Sequence, residues 1–438
     1  MNTTIQKAID KIEAASKTKK IRIISHYDTD GITSAAIFSR AMQRWKKSFS
    51  IDIVKNLEDS YVQQLPTNEL IILLDLGSGS LDELAKRGAE TVIFDHHEVL
   101  QAIPENVLLV NPLVLGHEAI SGAGVCYLFA KALSDHNRDL ATLAVIGMVG
   151  DSFDKDISKA YSMMLQDAET VVKRSFLLYP STRPLDRALE YSSSPYIPGV
   201  TGSRTGVLEL LRDANIQRTN GTYKALYELT DDEMGGLITA IMLRSKGDNR
   251  VEQMVGNLYL VKFFNKLEDA REISALINAC SRMDQPRVAL GFCLGNKQCR
   301  GEAEKIYIDY KQHLVSALRW ISETEKIAGN KYAIINAKDN IKDTIIGTVA
   351  SIISHSPVYE KGTIIVALAY NEDKIKVSAR MVGSEGRNVR EVLTKATVEL
   401  GGEVGGHPNA AGCLILREQE EHFINELKKV LDVELVKV

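Results

Sequence analysis

The 438-residue chain predicts an α/β architecture: an N-terminal domain on a parallel sheet, a helical insertion and connector, and a smaller C-terminal α/β domain. Three observations carry this. The first third alternates short apolar runs with stretches of helical period, the pattern of parallel βα units. From about residue 155 to 325 the periodicity turns mostly helical. After residue 326 strand-like runs return. A chain of this length exceeds one ordinary core. The expected domains are 1–195, 196–325 and 326–438.

Taken in order, "MNTTIQKAIDKIEAASKTKK" reads as an amphipathic helix with a basic end and lacks the apolar core of a signal peptide. "IRIISH" is a strand and "GITSAAIFSRAMQRW" a helix; "IDIVKN" and "ELIILLDLG" are strands; "SLDELAKRG" is a helix and "TVIFDHH" a strand. In "SGAGVCYLFAKALS", Ser121 is placed to cap the start of a helix. "LATLAVIGMVGDSF" is an apolar run ending at Gly150-Asp151 and is read as a further strand end. "SSSPYIPGVTGSRTG" collects Pro, Gly and Ser as a loop or boundary. "KALYELTDDEMGGLITAIMLRSKG", "LEDAREISALINACSRM" and "RGEAEKIYIDYKQHLVSALRWISETEKIAG" are helical. Next come strands "YAIINAK", "GTIIVALAYN" and "KIKVSARM", and a helix "REVLTKATVEL".

With 45% hydrophobic and 25% charged residues the composition is that of a soluble globular protein. No apolar stretch is long enough for a membrane span. Five scattered cysteines without a CxxC pair point to reduced thiols in a cytoplasmic protein, and Cys293 and Cys299 to ordinary packing. A net charge of −4 argues against binding duplex DNA by bulk charge, while leaving room for a local basic groove. Aromatic residues make up 6%, which signals no extended base-stacking platform. His117, His136, His313 and His422 read as solvent-facing, and His355 as a loop or helix-end residue.

The chemistry lies in four acidic clusters, each placed at the end of an expected strand. They are "HYDTDG" (His26, Asp28, Asp30), "LLDLG" (Asp75), "DHH" (Asp95, His96, His97) and "GMVGD" (Asp151). Ligands of open α/β sheets bind beyond the carboxyl ends of the strands. Carboxylates gathered there repel one another unless divalent cations intervene. Carboxylate and imidazole together suit Mn²⁺, and Mg²⁺ or Zn²⁺ less specifically. There are ligands enough for two ions.

These four motifs, in this order, resemble the DHH phosphoesterase superfamily. "GGHPNAAG" (405–412) is similar to the signature of its associated DHHA1 domain, and "KVSAR" to that domain's phosphate-contacting element. Through "DAREISALINACSRM" and "ALGFCLG" the chain most resembles archaeal RecJ-like exonucleases. The first-motif histidine stands two residues before Asp28, where several relatives have it four before.

Together, chemistry and resemblance imply two Mn²⁺ ions, with Mg²⁺ or other divalent ions as substitutes. His26, Asp28, Asp30, Asp75, His96 and Asp151 are the implied ligands, and Asp75 is the bridging candidate. Asp75, His97 and Asp151 are the expected catalytic residues. His97 contacts the scissile phosphate, while Asp95 orients the metal-ligating imidazole. Ser378, Arg380, Gly405, Gly406, His407 and Asn409 are expected to grip substrate, the glycine-rich stretch lying close to a helix start.

The resemblance implies a metal-dependent exonuclease on single-stranded DNA or RNA, working in replication, repair or RNA turnover. One alternative is a phosphoesterase for short oligonucleotides, cyclic dinucleotides or nucleoside bisphosphates. Another is a nuclease that doubles as a subunit of an assembly, with the GINS complex or a repair helicase as implied partner.

Overall fold

In a computed structural model, residues 1–155, 157–192, 197, 199–244, 254–356, 358–383, 385–401 and 404–432 are described. The chain forms two compact units, Met1–Glu304 and Lys305–Val438. The expected boundary at 195/196 falls on residues outside the described ones.

The first unit opens with helix α1 (Asn2–Ala15), which buries Ile5, Ala8, Ile9 and Ile12 along one stripe. Strand β1 (Ile21–His26), α2 (Thr29–Arg44), β2 (Ser50–Val54), α3 (Asp59–Gln64) and β3 (Leu70–Leu74) follow. Then come α4 (Leu81–Arg87), β4 (Thr91–Phe94), β5 (Val107–Val110), α5 (Gly122–Leu133) and α6 (Ala141–Gly150). The five strands form one parallel sheet in the order β2-β1-β3-β4-β5. β3 is buried at every position, as a central parallel strand covered on both faces must be. One face packs Ile24, Ile71, Leu73 and Ile93 against Val62, Leu81 and Leu84. Phe38, Phe94 and Phe129 form a ring cluster between α2, β4 and α5, with centroids 4.7–5.2 Å apart. The strand order reverses between β1 and β3, and such a switch point opens a crevice at the carboxyl ends.

The rest of this unit comprises α7 (Lys159–Asp167), β6 (Val171–Phe176), α8 (Leu185–Glu190), α9 (Arg204–Asp213) and α10 (Asp231–Arg244). After these come β7 (Val255–Phe263), β8 (Lys266–Asp269), α11 (Ala270–Arg282) and α12 (Pro286–Cys293), and then α13 (Lys297–Glu323), within which the two units divide. The expected mostly helical middle therefore also holds a three-stranded antiparallel sheet, β6-β7-β8. Its tightest turn is carried by Phe264 and Asn265, both with positive φ, between β7 and β8.

The second unit contains β9 (Ile327–Gly329), β10 (Tyr332–Asn336), α14 (Asp343–Ser354), β11 (Ile364–Asn371), β12 (Lys374–Met381) and α15 (Val389–Thr397). β13 (Val404–His407), β14 (Ala410–Leu416) and α16 (Glu420–Asp432) complete it. Its sheet runs β13-β14-β12-β11-β10-β9, with only β10 and β11 parallel. Ile375, Val377, Ala379, Cys413 and Ile415 form a core with Val392, Phe423 and Leu427 of α15 and α16. His355 caps the C-terminal end of α14. No helix among the described residues is long and apolar enough to cross a membrane. All five cysteines are free.

Candidate active site

The chain leaves β1 at His26 and enters α2 within three residues. Asp28 caps that helix by accepting from Gly31 N–H at 3.0 Å. His26, Asp28 and Asp30 are thus gathered by a strand-to-helix turn, and strand alternation plays no part beyond His26. A side chain at Gly31 would collide with the His26 carbonyl at 2.2 Å, so the turn requires glycine. The Thr29 N–H donates to Asn278 Oδ1 at 3.1 Å, and Thr29 Oγ1 donates to the Ser274 carbonyl at 3.0 Å. Helix α11 therefore pins this turn.

Asp75 follows β3 with φ +57°, an uncommon conformation for a residue other than glycine. Its carboxylate lies 3.5 Å from His26 Nδ1 and 3.2 Å from His96 Nε2. His26 Nδ1 is also 3.1 Å from Asp28 Oδ1. His96 Nε2 lies 3.1 Å from Asp151 Oδ2 and 3.7 Å from Asp30 Oδ2. His26, Asp28 and Asp75 form one cluster of possible metal ligands; Asp30, His96 and Asp151 form another; Asp75, Asp95, His96 and His97 form a third.

Asp151 reaches the cluster from an unexpected direction. It is the C-terminal cap of helix α6, where the sequence suggested a strand end. Apolar runs of this length do not distinguish strand from buried helix. Gly147 and Gly150 let α6 pass so close that added side chains would meet Asp30 Oδ1 at 2.6 Å and Thr29 at 2.7 Å. Gly122 does the same for α5, where a side chain would sit 2.7 Å from Asp75 Cβ. These glycines were not singled out from sequence, although "SGAG" and "IGMVG" carried the signal. Phe153, also missed, sets its ring edge-on to His96 at 5.7 Å.

Asp30 is fully buried and its two oxygens accept from Gly122 N–H (2.5 Å) and Ala123 N–H (3.0 Å) at the start of α5. Ser121 caps that helix through Gly124 N–H, as its sequence position suggested. Asp30 thus anchors a helix as well as facing His96. Asp95, also buried, accepts from Ser78 N–H and His96 N–H, and its Oδ1 lies 2.7 Å from His97 Nδ1. The imidazole that Asp95 orients is therefore that of His97, whose side chain is 56% exposed. His96 is turned inward.

The electrostatics follow from this crowding. Burial, and then the facing Asp75 and Asp151, hold Asp30 well above the usual carboxylate range. Asp151 is raised as well, by burial and then by Asp75 and Asp28, against the pull of His96. Although burial opposes it, Asp151 and Asp75 push His96 up to about 11. Hydrogen bonding to Asp95 raises His97. Without a cation the cluster thus holds protons to offset its negative charge. Asp75 Oδ1 and His96 Nε2 are buried without a hydrogen-bond partner. Buried polar atoms without a well-formed hydrogen bond cost free energy unless something binds them. This donor set and these orphaned atoms fit a divalent cation.

The second unit carries the remaining candidates. "GGHPNAAG" forms a β-hairpin, β13–β14, instead of a cradle at a helix start. The N–H at the start of α15, on Val389, is already taken by the Pro408 carbonyl at 2.7 Å. Gly406 has φ +117°, and a side chain there would strike the Ala410 carbonyl at 2.4 Å. The register pairs Ser378 with Gly412 and Gly405, and Arg380 with Ala410 and His407. Because alternate residues of a strand share a face, Ser378, Arg380, Gly405 and His407 lie on one side of the sheet. Gly412 and Ala410 leave a low floor between them. Ser351 of α14 accepts from Arg380 Nε at 2.9 Å. Gly405, Gly406, His407 and Asn409 are exposed, and Ser378 is buried.

The family model described as DHH family, N-terminal domain, matches residues 20–148; those for the DHH-CID and DHHA1 domains match 178–258 and 329–432. The chain is 27% identical to an uncharacterised protein of Methanocaldococcus jannaschii, over 98% of each. It is 24% identical to the single-stranded-DNA-specific exonuclease RecJ of Bacillus subtilis, over 98% of this chain and 48% of that protein. It thus spans about half of that relative. Among solved structures, RecJ of Thermus thermophilus in complex with Mn²⁺ superimposes with a TM-score of 0.61 at 19% identity, over 98% of this chain and 55% of that one. CDC45 of Entamoeba histolytica gives 0.66 at 12% identity, over 99% of both chains. These two likenesses show the fold.

Proposed function

Because this chain belongs to the DHH family, carries a DHHA1 domain and is RecJ-like, we propose that it is a divalent-metal-dependent phosphodiesterase that removes nucleotides from the end of single-stranded DNA or RNA. The observation that carries the proposal is the meeting of Asp75 with both His26 and His96 at the carboxyl ends of a parallel sheet, with His97 exposed beside them. His26, Asp28 and Asp75 would hold one ion, and Asp30, His96 and Asp151 another, Asp75 lying next to both. Mn²⁺ is the favoured ion, and Mg²⁺ a substitute. When bound, such ions polarise a phosphoryl oxygen and acidify an attacking water.

The chain's own groups supply the rest. Asp95 holds the His97 ring through Nδ1, leaving Nε2 to donate to a phosphate oxygen. The same hydrogen bond raises the His97 pKa and so favours the charged form of that donor. Arg380, fixed by Ser351, offers a planar cation on the face it shares with His407 and Ser378. The exposed Gly405 and Gly406 have no side chains to hinder a phosphate.

The test is digestion of single-stranded DNA and RNA, labelled at either end, with Mn²⁺ and with Mg²⁺, beside the variant Asp75→Asn. A stepwise ladder that the variant reduces by at least a hundredfold is expected. An undigested strand, or equal digestion by the variant, defeats the proposal. Faster turnover of dinucleotides than of long strands would move the assignment to the short-substrate alternative.

A further inference from the structure

A second feature of the first unit points to nucleic acid by different chemistry. A hollow of about 280 Å³ is lined by Arg212, Asn215, Ile216, Gln217, Arg218 and Tyr223. It contains two guanidinium groups and no acid, in a chain whose net charge is −4. Its floor is the buried Ile216. Its volume of about 280 Å³ lies just below the roughly 300–1,000 Å³ of small-molecule pockets.

The hollow is preformed by local backbone chemistry. Helix α9 ends at Asp213, and Asn215 adopts φ +55°, turning the chain back so that Ile216 N–H reaches the Leu211 carbonyl at 2.8 Å. Three residues on, Thr219 and Thr222 exchange backbone hydrogen bonds of 2.8 and 3.2 Å around Asn220 and Gly221. Both central residues have positive φ, the signature of a rigid two-residue hairpin turn. That turn sets Arg218 opposite Tyr223, with the guanidinium 5.1 Å from the ring centroid. Arg212 stands on the last turn of α9. Neither arginine forms an ion pair among the described residues. The nearby Asp213 is occupied by Arg244 at 2.7 Å.

We propose that this hollow binds one nucleotide of a single strand, its phosphate between Arg212 and Arg218 and its base beside the open edge of Tyr223, whose ring packs on the core and carries Arg218. Guanidinium forks match phosphate oxygens, the amides of Asn215 and Gln217 can meet base edges, and an aromatic edge can meet the π-face of any base. An acidic peptide would use the two charges but leave the ring without a planar partner. The site rests on the nucleic-acid reading above and adds an anchor outside the acidic centre.

Anisotropy of a labelled oligothymidylate tests it, measured in EDTA so that binding is read without turnover, between 50 and 200 mM KCl. Neutralising the one phosphate seated there contributes about 0.7 to the salt slope of a single strand. The double variant Arg212→Ala/Arg218→Ala is expected to lose that slope and to bind about 5-fold more weakly at 0.1 M salt. Lys7→Ala/Lys17→Ala removes equal charge from exposed positions elsewhere and is expected to keep the wild-type slope. Wild-type affinity and slope in the arginine variant overturn the proposal, as does an equal loss in the lysine control. An equal loss toward polyglutamate also overturns it, marking a general anion site. Since no cleavage is needed, failure here is distinct from failure of the hydrolytic reading.

Discussion

The acidic centre predicts that a divalent cation stabilises the first unit, and that Asp75 governs the effect. Asp75 Oδ1 has no hydrogen-bond partner, and its carboxylate faces both histidines. Two like charges about 4 Å apart interact by roughly 4 kcal/mol at an effective dielectric constant of 20. Protonation relieves part of this, as the raised Asp30 and Asp151 indicate. A cation that binds only the folded state at a hundred times its dissociation constant adds about 2.7 kcal/mol. The unfolding entropy of a unit spanning Met1–Glu304 is about 0.64 kcal/mol/K, from roughly 2.1 cal/mol/K per residue, so the melting temperature rises by about 4 °C. Differential scanning calorimetry of EDTA-stripped protein with and without saturating Mn²⁺ measures this. In Asp75→Asn the rise is expected to fall below about 1 °C. In EDTA that variant should melt within about 2 °C of wild type, because the repulsion it relieves toward Asp30 and Asp151 is offset by the attraction it loses toward His26 and His96. A variant that melts several degrees lower in EDTA yet keeps its full Mn²⁺ response would mean that Asp75 is a structural acid, and the reasoning would be wrong.

Two further outcomes are expected. Gly147→Ala forces a methyl group to within 2.5 Å of Ala123 Cβ and 2.6 Å of Asp30 Oδ1, so overpacking should cost about 1–3 kcal/mol and weaken Mn²⁺ binding. Urea unfolding and a calorimetric Mn²⁺ titration read the two effects, and wild-type values in both would refute the close approach of α6. Glu272 accepts from Ser181 N–H, Thr182 N–H and the Thr182 hydroxyl, yet burial raises its pKa above the usual 4.5. The folded state therefore binds this proton more tightly than the unfolded chain does. Its contribution is fully present below pH 4.5 and is lost as pH rises through the folded value. Glu272→Gln should gain on wild type as pH climbs through that window, and parallel stability curves from pH 4 to 8 would contradict it.

Much of the centre was legible because its parts are local. A carboxylate or imidazole next to a β-rich apolar run marks a strand end, and parallel strands share one end. His26, Asp75 and His96 follow from that alone. Ser121 was equally plain, since a capping serine before a helical period needs no tertiary information. Asp151 was assigned to the centre for its chemistry but to the wrong element. Its apolar run is short and uniform and fits strand or buried helix alike, and in the fold Gly147 and Gly150 give the helix room against α2. "GGHPNAAG" misled in a similar way, because glycines serve turns, close approaches and helix starts alike; pairing with β12 selects the hairpin. The partner of Asp95 could not be read either, since adjacent histidines offer two rings at nearly equal distance along the chain. The backbone at the end of β4 points one inward and the other to solvent. Residue type and spacing thus specify which groups can do chemistry. Which group touches which depends on long-range packing, where a single methyl group's worth of space between distant helices sets the outcome.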